Sequence, residues 1–229
     1  MTSSAVRRPG PVAGVPAGAP RMVWYAAYAS NMHLARLTCY LAGGRPAEGA
    51  RTLPGARDGR PPVGAVPVLL PGRLHFALES LVWGGGMGFY DPFDDGEMPA
   101  RAFLLRAGQF ADVLAQERRR APGTDLDLGT VVAEGRERLG PGRYETLLCA
   151  GVLDGHPVLT FTAPWRSAEA ELNAPSAPYL RAVATGLREG HGWDAERSAA
   201  YLSSRPGAAG VWSPGRVERV LRGAGEAGH

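Results

Sequence analysis

The stretch MVWYAAYASNMHLARLTCYL, residues 22–41, constrains this chain more than any other. Residues 22–28 are apolar and aromatic with little alternation, which suits a buried strand. The run stops at Ser30-Asn31, and a helical period follows at Leu34, Leu37 and Leu41. A strand must therefore become a helix across a few polar residues, with Ser30 or Asn31 as the expected N-cap. Such a corner can be a plain connection. It can also cradle a small anionic or amide group, as helix N-termini do.

The rest of the 229 residues supply enough apolar sequence for one sizeable core, in one domain or one domain with an appendage. No apolar run approaches the ~18 residues of a membrane helix. The first twenty residues carry Arg7-Arg8 but no apolar segment of a secretory signal, so a cytoplasmic location is expected and no membrane partner. Net charge is only +3, and the one dense basic run, Arg118-Arg119-Arg120, falls at a helix end where cations suit the dipole. Nucleic acid is not an expected partner. All 25 basic residues are arginine. Without lysine, neither Schiff-base catalysis nor a P-loop is available.

The other motifs exclude further chemistries. His33, His75, His156, His191 and His229 show no zinc-ligand spacing, so no metal or cofactor is expected. Cys39 and Cys149 read as buried free thiols. No Gly-x-Ser-x-Gly elbow occurs. The glycines at 84, 85, 86 and 88 precede no helix and do not form a dinucleotide fingerprint.

Along the chain, residues 1–20 are Pro, Gly, Ala and Ser without a period and read as a disordered tail. Residues 21–164 read as one α+β domain, a small mixed sheet or barrel flanked by helices. Short strands are expected at 65–70, 73–80 and 86–90, and RAFLL leads into the helix GQFADVLAQERRR. Residues 127–139 hold a further short helix. ETLLCAGVLDGHPVLTFT is the clearest hairpin, turning at Asp154-Gly155. Residues 165–229 form a helical C-terminal extension packed on the same core. Ser176, Asp194 and Ser213 are its expected N-caps, and Gly190 the stop of its first helix.

One carboxylate stands out. Phe110, Val113 and Leu114 form an apolar stripe, and the helical rule places Glu117 next on it. Desolvation raises the pKa of a buried carboxylate, which suits proton transfer near neutrality. The alternative is an edge position, with Glu117 paired to a neighbouring arginine.

Two motifs together carry a resemblance. Trp24-Tyr25-Ala26-Ala27-Tyr28-Ala29-Ser30-Asn31-Met32 resembles the strand-and-loop signature of the γ-glutamylcyclotransferase-like family. There an aromatic pair leads to Tyr-Gly-Ser-Asn and then Leu or Met. ARAFLLRAGQFADVLAQE is similar to the family's strand–helix unit, with Glu117 in the place of its catalytic glutamate. The likeness covers residues 22–162. The family glycine is Ala29 here, so either the loop is reshaped or the substrate differs.

The resemblance implies cleavage of a γ-glutamyl amide by internal cyclisation, giving 5-oxoproline and an amine. Glu117 would be the general acid–base. Tyr28, Ala29, Ser30, Asn31 and Met32 would hold a small-molecule substrate. A related amide hydrolase or acyl-transfer enzyme, and a non-catalytic binding protein on the same scaffold, remain open. The sequence gives no oligomeric state.

Overall fold

The computed structural model describes residues 5–12, 20–47 and 51–223. The apolar run folds as β1 (Met22–Ala27). The other strands are β2 (Gly64–Pro71), β3 (Arg73–Ala77), β4 (Met87–Asp91), β5 (Glu97–Arg106), β6 (Arg136–Arg138), β7 (Thr146–Leu153) and β8 (His156–Thr162). Helices α1 (Leu34–Ala42), α2 (Ala107–Glu117) and α3 (Gly129–Glu134) lie among them. Helices α4 (Ala177–His191), α5 (Ala195–Ser203) and α6 (Pro214–Arg222) follow.

The fold is α+β, with a six-stranded mixed sheet in the order β2-β5-β1-β8-β7-β6. The sheet is open, with β2 and β6 at its edges, and it does not close into a barrel. β1 pairs antiparallel with β5 and parallel with β8. β3 and β4 form a separate two-stranded ribbon.

β1 is apolar throughout because both of its faces are covered. Trp24 and Ala26 point into a core shared with Leu180, Val183 and Leu187 of α4, Leu202 of α5 and Val217 of α6. Val23, Tyr25 and Ala27 point the other way, onto Leu37 and Leu41 of α1, Phe110, Val113 and Leu114 of α2 and Val131 of α3. The C-terminal helices thus cover one whole face of the central strand.

Several expectations are corrected in detail. Residues 5–12 fall in the stretch expected to be disordered, yet they lie on the sheet. Arg7 bridges Val68 of β2, and Gly10 bridges Val152 of β7. Arg7 also binds Asp154, and Arg8 binds Glu97. Composition hides this because the partners are backbone groups and carboxylates far along the chain. Residues 1–4 and 13–19 of that stretch lie outside the described residues. Leu34 is exposed, and Leu37, Tyr40 and Leu41 form the buried face of α1. The helix expected in 127–139 is shorter and gives way to β6. α4 runs past Gly190 and ends at Gly192, whose left-handed φ of 67° makes it the cap. Cys39 and Cys149 are free and only half-buried. The caps Ser176, Asp194 and Ser213 accept backbone N–H bonds as expected. Asp154 and Gly155 both adopt positive φ, as a two-residue hairpin turn requires.

His75 gives the fold a pH dependence. It is fully buried on β3 with its ring 5.8 Å from Phe89. Neither ring nitrogen has a hydrogen-bond partner among the described residues. Burial pulls its pKa down from 6.5 to about 4, against the pull of Asp91 and Asp94. Between those values the unfolded chain takes up a proton that the folded chain refuses, so stability falls as pH falls. The full window corresponds to about 3 kcal/mol. Urea titrations from pH 7 to pH 4 should show His75→Leu losing less stability than wild type by about that amount.

Candidate active site

The polypeptide leaves β1 through Tyr28 and makes a single 3-10 turn, Ala29–Met32, before α1. His33 interrupts the two, with an extended backbone at φ −71° and ψ 117°. Neither Ser30 nor Asn31 caps α1 with its side chain; His33 occupies the N-cap position. The first amide of α1 is already filled from elsewhere. Leu34 N donates to Glu189 Oε2 at 3.0 Å. The same carboxylate accepts from Arg101 Nη1 at 2.9 Å and lies 3.2 Å from His33 Nε2. The first amide of α1 is therefore occupied by a carboxylate of α4 and is not open to a ligand.

Ala29 keeps the left-handed angle, φ 50°, that a glycine would take freely. Its methyl stands over Gly88 of β4, where an added Cβ would lie 2.9 Å from it. The alanine is thus accommodated by a bare backbone opposite rather than by a reshaped corner.

The side chains of the corner face in two directions. Tyr28, Ala29, Ser30 and Asn31 line a cavity of about 130 Å³. Met32 does not. It is buried beneath α4, and its carbonyl accepts from Arg101 Nη1 at 3.2 Å. Tyr28 forms a wall and donates its hydroxyl hydrogen to Phe161 O at 3.0 Å. Burial pushes the Tyr28 phenol far above its ordinary ionisation.

Glu117, the last residue of α2, lines the same cavity. Its Oε1 accepts from Asn31 Nδ2 at 2.7 Å, across 86 residues of sequence. The Asn31 amide is held by both ends. Arg36 Nε donates to its Oδ1 at 3.1 Å, which turns the NH₂ toward Glu117 and the Tyr25 hydroxyl, 3.3 Å away. Arg36 in turn stacks over Tyr40 and Trp83 at 5.6 and 5.5 Å. Burial would lower the Arg36 pKa, but Tyr40, Glu117 and Tyr179 outweigh it and hold the guanidinium charged. Burial first, and the Glu117 charge second, push the Tyr25 and Tyr40 phenols up, so both stay protonated.

The alternative placement of Glu117, paired with an adjacent arginine, is not what is seen. Arg118 and Arg120 both bind Glu145. Two residues that sequence reasoning passed over complete the walls. Tyr179 of α4 accepts from Gly88 N at 3.0 Å, and Tyr144 stacks on Phe89 at 5.3 Å. Arg36 had a signal available, five residues after Asn31. Tyr179 and Tyr144 had none, because only tertiary packing brings them in. Ala29, Arg119 and Tyr144 all have positive φ and all line this cavity, and strain of this kind collects at working sites. Among the described residues, no group of three or more His, Cys, Asp or Glu side chains could hold a metal ion, and no helix is long and apolar enough to cross a membrane.

No family model matches the chain. Histone deacetylase 5 of Arabidopsis thaliana is 30% identical over 198 residues, covering 79% of this chain and 30% of that protein. The chain thus spans less than a third of that relative's length. Among solved structures, a Gamma-glutamyl cyclotransferase aligns over 88% of this chain and 99% of its own, at 14% identity and a TM-score of 0.49. An uncharacterized protein from Homo sapiens aligns over 89% and 99%, at 13% identity and the same TM-score.

Proposed function

We propose that this chain is a γ-glutamylcyclotransferase-like enzyme that converts a γ-glutamyl amide into 5-oxoproline and a free amine. The observation that carries this reading is the meeting of Glu117 with Asn31 in one cavity, joining the acid of the second motif to the corner of the first.

The reaction needs no protein nucleophile. The substrate's own α-amine attacks its γ-carbonyl carbon, a C–N bond forms to close the five-membered lactam, and the original amide C–N bond breaks. Orienting the chain for this attack is worth ~7–11 kcal/mol. An α-amine has a pKa of ~7.7–8.0, so it is mostly protonated at neutral pH and must lose a proton to react. Glu117 takes that proton and returns it to the leaving nitrogen. Asn31, fixed by Arg36, keeps the carboxylate facing the cavity. The amides of Ala29 and Ser30, which open the 3-10 turn and have no acceptor within it, are suited to the glutamyl carboxylate or the developing oxyanion. The phenols of Tyr25 and Tyr179, whose oxygens accept from Asn31 and Gly88 and whose hydrogens are not spent on those bonds, are the neutral donors around the carbonyl, while Tyr28, whose hydrogen goes to Phe161 O, serves as a wall.

A mass-spectrometric screen of γ-glutamyl peptides and amines tests the reading. Release of 5-oxoproline is expected. Free glutamate would mark a hydrolase, and thermal stabilisation by a γ-glutamyl amide without any turnover would mark a binding protein.

A further inference from the structure

Four arginines, Arg36, Arg51, Arg119 and Arg143, line the cavity against a single acidic residue, Glu117. Arg36 is committed to Asn31 and Tyr40. The other three arrive from three separate segments: the loop after α1, the end of α2, and the loop between β6 and β7. All three are exposed, and none of them forms an ion pair among the described residues. Arg51 Nη2 donates to Gln116 O at 2.7 Å, and Arg143 Nη1 lies 3.3 Å from Met87 Sδ. Each keeps most of its five N–H donors for other acceptors.

Arg119 is the sharper observation. It takes φ 57° immediately after α2, the left-handed position that glycine fills by default. Arg119 N donates to Gln116 O at 3.1 Å and Arg120 N to Ala115 O at 2.8 Å, the paired bonds of a helix stop. The residues on both sides are clamped by one buried carboxylate. Arg118 Nε donates to Glu145 Oε1 at 2.8 Å, and Arg120 Nη2 to the same oxygen at 3.0 Å. The clamp holds the neighbours on Glu145 and leaves Arg119 at the cavity. An arginine in a glycine slot, with no ion pair among the described residues, is backbone strain of the kind that collects at ligand sites.

We propose that Arg51, Arg119 and Arg143 form a phosphate subsite at the mouth of the cavity, and that the amine half of the substrate is a phosphomonoester. The γ-glutamyl half of that substrate rests on the cyclotransferase reading above. A planar carboxylate is satisfied by one bidentate guanidinium. Three arginines carried by three separate segments suit a tetrahedral dianion, whose oxygens point apart.

Calorimetric titration of Glu117→Gln protein, in which turnover of the probe is slowed at least about a hundredfold, tests this at low salt. The probes are γ-glutamyl-O-phosphoethanolamine and γ-glutamyl-ethanolamine. The phosphorylated probe should bind at least tenfold tighter. Adding Arg119→Gly should remove most of that preference while raising Tm by about 2 °C, because glycine relaxes the left-handed angle. Arg143→Gln should also reduce it. Equal affinity for the two probes, or a preference that survives both substitutions together, would overturn the subsite. Binding is read without turnover, so the two ideas fail separately. Formation of 5-oxoproline without phosphate preference removes only the subsite; phosphate preference without 5-oxoproline removes only the cyclisation.

Discussion

Glu117→Gln is expected to slow 5-oxoproline release by at least two decades, within the ~10²–10⁴-fold that a positioned proton shuttle contributes. The substitution is chosen because it leaves the packing alone. A glutamine has the same shape, and its Oε1 can still accept from Asn31 Nδ2, now 2.7 Å from the carboxylate. What it cannot do is take a proton from the α-amine. The fall should therefore appear in kcat, with Tm within a degree or two of wild type. Steady-state rates and a thermal melt on the same preparation check both halves. Equal rates in the two proteins would remove Glu117 from the chemistry.

Gly186→Val should disable the protein by a different route. α4 crosses the corner at Gly186, where an added Cβ would lie 2.6 Å from Met32 Cβ, 3.3 Å from His33 N and 3.4 Å from Ala29 O. None of these atoms is the end of a flexible side chain, so the corner or the helix must move. Overpacking of this kind costs ~1–3 kcal/mol. For a chain of this size each kcal/mol lowers Tm by about 2–4 °C. The loss in activity should exceed what instability explains, because Asn31 shifts with the corner, and a 1 Å misplacement costs ~10²-fold. The same helix supplies the control. A Cβ at Gly190 would meet only the Arg101 side chain, at 3.5 Å, an ordinary contact. Gly190→Ala should then stabilise by about 0.5–1 kcal/mol, the usual gain inside a helix. Urea titrations of the two variants should move in opposite directions.

The contrast between these two glycines shows where sequence reasoning reaches and where it stops. Local periodicity carried the strand at 22–28, the hairpin turn at Asp154-Gly155 and the caps at Ser176, Asp194 and Ser213, because each depends on neighbours a few residues away. Glu117 was visible for the same reason, as a charge on an apolar stripe. The resemblance places Asn31 in the same site, but their hydrogen bond was not legible, since Asn31 reaches Glu117 only once α1 and α2 pack on the same face of β1. The helix N-terminus failed as an anion site because Glu189, about 155 residues later, had taken it. The contiguous motif places Met32 with the ligand, yet a turn sends consecutive side chains to different sides, and Met32 goes to the core. The face that α4 covers belongs to the central strand itself, which residue texture alone could not reveal.

The central claim is that the nucleophile comes from within the substrate. Turnover in ¹⁸O-enriched water tests it most directly, because water is a reactant in hydrolysis and a spectator in lactam formation. Mass spectrometry of the acyl product should find 5-oxoproline at its unlabelled mass, formed at the wild-type rate and lost in Glu117→Gln. Glutamate carrying one ¹⁸O would contradict the account.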